Sequence, residues 1–194
     1  MAVPPLAPPQ KALQRVLRIA RADSLSVMIL AGLSLLLALA MLEPMGLAVS
    51  ALALAAGVME WRGCRALKRR DAETGMKLLV RAQIFLLAVI LVYCVRCIAS
   101  FDAGFLKDEV VPRLNEWLPA LLDMSFDEFL QESGLTADDL VAMARKAFLL
   151  LYATVAVLSL LVQGGLALYY RRRIALVTVA LAEPPAFPRQ SPLA

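Results

Sequence analysis

Apolar residues run along this chain in four long stretches, 25–42, 45–61, 78–101 and 147–170, separated by segments that carry most of its charge. A helix rises about 1.5 Å per residue and needs about 20 mostly apolar residues to cross a hydrocarbon layer of about 30 Å. Each stretch is therefore read as a transmembrane helix. The fold expected is all-α: an integral membrane bundle of four transmembrane helices with a helical extracytoplasmic cap. The last stretch carries no charge and is closed by Tyr169, Tyr170 and the triplet Arg171, Arg172, Arg173, an aromatic belt followed by a basic flank. The second is short and rich in Ala and Gly. It either spans or forms a re-entrant hairpin, and the charged tip at Glu43-Pro44 favours spanning, because a carboxylate is better placed in water than in lipid.

Charge orients the stretches. Fifteen of the twenty Lys and Arg lie in three segments: Lys11 to Arg21, Arg62 to Arg81, and Arg171 to Arg189. Ten of the sixteen Asp and Glu lie in a fourth, from Asp102 to Asp139. Basic residues resist translocation, so the first three segments belong to the cytoplasmic side and the acidic one outside. The organisation expected is a Pro-rich, basic amphipathic leader (1–24), a transmembrane hairpin (25–61), a basic cytoplasmic loop (62–77), the third span (78–101), an acidic helical extracytoplasmic loop (102–146), the fourth span (147–170), and a basic then Pro-rich cytoplasmic tail (171–194). A multi-pass protein of a bacterial inner membrane, with both termini cytoplasmic, is the localisation this implies. Cleavage of the first stretch as a signal peptide after Ala38-Leu39-Ala40 is the weaker reading, since the apolar run is too long.

Local patterns refine this. In the leader, Lys11, Arg15 and Arg18 share one helical face and Leu13, Val16, Leu17 and Ala20 another, which suits either a helix lying on anionic lipid headgroups or a solvated start to the first span. In the acidic loop, Phe101, Phe105, Leu106, Val110, Leu114, Trp117 and Leu118 form a helical stripe. Ser125 and Thr136, each with an acid three residues later, read as helix starts, and Gly134 as the stop between them. Gly46, Ser50, Ala51, Ala53, Ala55 and Gly57 give the second helix small-xxx-small spacings for close packing, against another span or a second copy.

At 61% hydrophobic residues, no His and only two Trp, the chain lacks the usual inventory for metal binding and imidazole chemistry, and no cofactor is expected. The residues needing an explanation are polar ones inside the spans. Glu60, Arg81, Gln83 and Gln163 fall at a similar depth near the basic side, where they form either an intramembrane polar cluster or snorkelling charges with amides bridging helices. Cys94-Val95-Arg96-Cys97, together with the four-span layout, is similar to the quinone-linked disulfide-forming membrane oxidoreductases, and implies a redox pair at Cys94 and Cys97. Those enzymes use a second exterior cysteine pair; here only Cys64 remains, on the basic side. The CxxC also lies near a helix C-terminus, whereas reactive pairs favour N-termini.

The functional expectation is a small polytopic protein acting as a non-enzymatic accessory, assembly or interaction subunit. The alternatives are a small oligomeric channel or transporter, and a thiol-redox protein. Its expected partners are the lipid bilayer, anionic headgroups through Lys11, Arg15 and Arg18, and a second copy or another membrane protein, with no nucleic acid.

Overall fold

The structure, a computed structural model, describes residues 8–102 and 126–182. Among them every element is helical: α1 (Pro8–Ala40), α2 (Pro44–Lys68), α3 (Ala72–Ala99), α4 (Phe126–Ser133), α5 (Ala137–Ser159), a π-helical turn (Leu160–Gly164) and α6 (Gly165–Ala182). The chain divides into two compact units, one formed by residues up to Ile90 and from Ser159 onward, the other by Leu91 to Leu158. Among the described residues, four helical stretches are long and apolar enough to cross a membrane: Pro8–Ala40, Pro44–Lys68, Ala72–Ala99 and Asp138–Ala182. At 25 residues, α2 reaches about 37 Å, ample for a crossing.

The helices extend well beyond the apolar runs. The leader is not a separate helix, because Ala12, Val16, Ala20, Ser24, Ala31 and Ala38 form one buried stripe along the whole of α1. A continuous packed face leaves no reason for a break at residue 24. Similarly, the basic connection expected at 62–77 is mostly helix, with its turn confined to the few residues around Arg70, and α6 carries the arginine triplet onward to Ala182. Basic side chains are good helix formers and can point outward while the backbone continues.

Three helix ends share one construction. After α1, Glu43 N–H donates to the Ala38 carbonyl (2.9 Å) and Leu42 N–H to that of Leu39 (3.2 Å), with Leu42 at φ +51°. After α2, Asp71 N–H donates to Ala66 (3.0 Å) and Arg70 N–H to Leu67 (3.1 Å), with Arg70 at φ +67°. Gly134, at φ +66°, ends α4 with the same pair of bonds. These are Schellman motifs, and only the third uses the glycine that this left-handed position favours.

In the first unit the core mixes small and polar residues with a few large ones, Leu67, Met76 and Leu79 among them. Among the buried positions of α2, Ser50, Gly57, Glu60, Cys64 and Leu67 recur at the spacing of a packed helical seam, with Ala56 and Gly63 beside them. Gly57 lies against Met28 and the Ser24 carbonyl of α1, where an added Cβ would come within 2.8 Å of the Met28 side chain. Gly63 and Gly75 bring α2 and α3 together so closely that a Cβ on either would lie 3.1 Å from the other's carbonyl oxygen. Of the small residues expected at the seam, Ser50 and Gly57 are buried, while Ala51 and Ala55 are exposed. Val16 and Ala20 of α1 join Cys64, Leu67, Met76, Leu79, Tyr170 and Val177 in one cluster. Many other large apolar residues of this unit face outward: Leu30 is 65% exposed, Leu37 66% and Leu161 68%.

The second unit is tied by aromatic rings. Phe101 packs on Phe148 (centroids 5.3 Å apart), Phe148 on Tyr152 (4.7 Å), and Tyr152 edge-on against Tyr93 (6.1 Å, interplanar 70°). The start of α5 is a capping box: Asp139 N–H donates to Thr136 Oγ1 (3.2 Å), and Thr136 N–H donates to Asp139 Oδ2 (3.0 Å). The α4 helix and this cap lie where the spacing predicts them. The stripe from Phe105 to Leu118, and the proposed cap at Ser125, fall outside the described residues.

Candidate functional site

A polar node forms where four helices of the first unit meet. Glu60 lies on the buried seam of α2, one turn before Cys64, and is 2% exposed. From α3, Gln83 (1% exposed) donates through Nε2 to Glu60 Oε1 at 3.1 Å and to Asp23 Oδ2 of α1 at 2.6 Å. From α6, the hydroxyl of fully buried Tyr170 donates to the same Glu60 oxygen at 3.2 Å. Ser24, also fully buried, sits beside Asp23 on α1 and turns its hydroxyl back to the Arg21 carbonyl.

Each helix delivers its residue for a local reason. On α1, Asp23 follows Val16 and Ala20 along the stripe that packs against the rest of the unit. On α3, Met76, Leu79, Ala82, Gln83 and Leu86 are buried at helical spacing, so Gln83 is held by apolar neighbours above and below. Tyr170 is anchored by the contacts of Val16 and Val177 in the same cluster.

The node contains two carboxyl groups and no cation. Among the described residues, neither Asp23 nor Glu60 has an ion-pair partner; an ion pair joins Lys77 and Glu73 on the surface of α3. Two carboxyls that meet one amide can share a proton or accept donors, and a buried carboxylate is stabilised chiefly by such bonds. Gln83 commits its amide nitrogen to both, and its Oε1 is buried without a hydrogen-bond partner. That oxygen is an acceptor within the node that a water, a cation or a proton-bearing carboxyl could use. No group of three or more His, Cys, Asp or Glu side chains suited to a metal occurs among the described residues.

Of the polar residues singled out by depth, Glu60 and Gln83 are brought together and the other two are not. Arg81 is exposed. Two residues turn a helix by about 200°, so a helix that buries Gln83 must point Arg81 outward, and a Glu60–Arg81 pair is not formed. Gln163 lies in the π-helical turn, half-buried, with its Oε1 buried and unpartnered. The residue that reaches Glu60 from this stretch is Tyr170, two turns further on.

Sequence reasoning missed Asp23 and Tyr170. Asp23 is an acid at the end of a strongly basic leader, three residues after Ala20 on the apolar face, and that placement was the available signal. Tyr170 resembles its neighbour Tyr169 in sequence and was read as an interfacial aromatic. In the second unit, Cys94 is buried and Cys97 half-buried near the end of α3, both as free thiols, with Tyr152 beside Cys97. Cys64 is the third free thiol, buried in the first unit. No known family, characterised protein or solved structure matches the chain.

Proposed function

We propose that this chain is a multi-pass membrane protein, oriented with both termini on the cytoplasmic side, that works without catalysis as an accessory or assembly subunit, through packing against other membrane components. The observation that carries this reading is the closure of the polar node. Glu60, Gln83 and Tyr170 are each no more than 2% exposed and spend their polar atoms mainly on one another, which is how polar groups lock helices together and not how they line a water path. The outward-facing leucines and valines support membrane residence, since soluble monomers rarely expose large contiguous apolar surfaces.

The test is reconstitution of the full chain in vesicles loaded with a pH-sensitive dye and a potassium gradient. The expected result is proton and potassium leakage no faster than from empty vesicles, with a stoichiometric membrane partner retained after mild detergent extraction of the native protein. Leakage that exceeds the control and disappears with Glu60→Gln overturns the proposal in favour of a second reading.

That second reading is a small oligomeric transporter in which the Asp23–Glu60 pair binds a proton or small cation. One observation favours it: Asp23 is only half-buried and Gln83 Oε1 lacks a partner, so the node has a less sealed edge and a spare acceptor.

A further inference from the structure

The first unit carries two adjoining clefts that share Tyr169 and Arg173, one between α1 and α6 and the other along α6. One, of about 220 Å³, is lined by Pro8, Lys11, Ala12, Arg15, Tyr169 and Arg173. The other, of about 470 Å³, is lined by Gly165, Leu168, Tyr169, Arg172 and Arg173. Four cations from two helices thus surround one aromatic ring, and no carboxylate is among the lining residues. Arg173 stands over the Tyr169 ring at 5.6 Å from its centroid, which holds that guanidinium in place without neutralising it. The Tyr169 hydroxyl is buried and has no hydrogen-bond partner among the described residues. A phenol donor left unpaired on a residue that lines both basic clefts is a position for an oxyanion.

We propose that this cleft binds the phosphate headgroup of an anionic phospholipid, one molecule per chain. The guanidinium groups of Arg15 and Arg173 and the Lys11 ammonium take the phosphate, the Tyr169 hydroxyl donates to one of its oxygens, and Arg172 flanks it. A lipid is favoured over a free phosphate by the composition of the second cleft. Its far end is Gly165 and Leu168, one to two turns along α6 from the arginines; nothing lies within 4 Å of where a Gly165 Cβ would be, and Leu168 is 55% exposed. Beyond them, Leu161 and Val162 continue the apolar surface. An acyl chain has a track to follow away from the cations, and a soluble anion would gain nothing from it. Basic pockets between helices at the end of a bundle are suited to such headgroups.

The proposal rests on membrane residence, which is checked separately by flotation of the full chain with neutral phosphatidylcholine vesicles. The site itself is tested by native mass spectrometry of the detergent-solubilised chain titrated with phosphatidylglycerol, with phosphatidylcholine of identical acyl chains, and with inorganic phosphate. The expected result is selective retention of one phosphatidylglycerol, weakened roughly thirty-fold by the double variant Arg15→Gln/Arg173→Gln and about fivefold by Tyr169→Phe. Lys11→Gln/Arg172→Gln, which spares the cation–ring contact, should also weaken it. Arg62→Gln/Arg65→Gln, which removes the same charge from exposed positions on α2, should leave it unchanged. Equal retention of the two lipids, equal weakening by the α2 control, or displacement by inorganic phosphate at concentrations matching the lipid would overturn the proposal.

Discussion

The two units of this protein hold their helices together by opposite means. In the first, Glu60, Gln83, Asp23 and Tyr170 exchange hydrogen bonds across helices that approach closely at Gly57, Gly63 and Gly75. In the second, a chain of rings from Phe101 through Phe148 and Tyr152 to Tyr93 links the end of α3 to α5. The difference teaches where specificity is placed. A ring contact tolerates sliding and is worth about 1 kcal/mol beyond its area. A buried carboxyl with two donors is satisfied in one register only, and every misfit leaves a polar group unpaired.

Removing the acceptor should therefore have the largest effect. Glu60→Ala strands the Gln83 amide and the Tyr170 hydroxyl, and is expected to cost about 2–4 kcal/mol, measured by unfolding in mixed detergent micelles. Glu60→Gln keeps an acceptor and should cost clearly less. A Glu60→Ala loss no greater than that of a ring substitution would break the contrast between the units.

In the second unit, Phe148→Leu removes the middle ring and both of its contacts while leaving an apolar side chain of moderate size. About 1 kcal/mol is expected in the same assay. A substantially larger loss would mean that the rings, too, fix register.

The smallest effect tests the first unit at its surface. Asp71 caps α3, accepting from Thr74 N–H at 3.0 Å, and the Thr74 hydrogen bonds hold its carboxyl below the usual carboxylate range. A carboxyl lowered in the folded state contributes stability that is fully present above the unfolded value and is lost as pH falls through the folded one. The cap should weaken as pH drops below about 4. Amide signals of residues 72–75 followed by NMR should show the change in the wild-type chain and not in Asp71→Asn, whose amide oxygen remains an acceptor throughout.

Much of the architecture was legible because hydropathy and capping are local signals. Each of the four apolar stretches falls on one of the long helical stretches, 25–42 and 78–101 overrunning the helix ends at Ala40 and Ala99 by two residues, and Gly134 and Thr136 stop and start helices where their chemistry suggests. The extents were not legible. The turns after α1 and α2 place Leu42 and Arg70 in the left-handed conformation, where a glycine or asparagine would have announced the end, so nothing in those residues marks it. Depth along the spans brought Glu60 and Gln83 into one candidate group. It could not separate them from Arg81, because depth carries no azimuth, and the helical phase that turns Arg81 away depends on which face of α3 is packed. Asp23 is obscured by its place at the end of a basic leader, and Tyr170 by its likeness to Tyr169.

The separation of the node's members along the chain bears on the order in which it is made. Gln83 follows Asp23 by 60 residues and Glu60 by 23, but the hydroxyl that completes Glu60 arrives 110 residues after it. A chain synthesised from its N-terminus can therefore close α1, α2 and α3 around a carboxyl pair bridged by one amide, and must hold that half-finished arrangement until α6 emerges. The last helix then has a fixed address, since only one rotation of it offers Tyr170 to Glu60. A misregistered α2 would leave the Tyr170 hydroxyl without this acceptor.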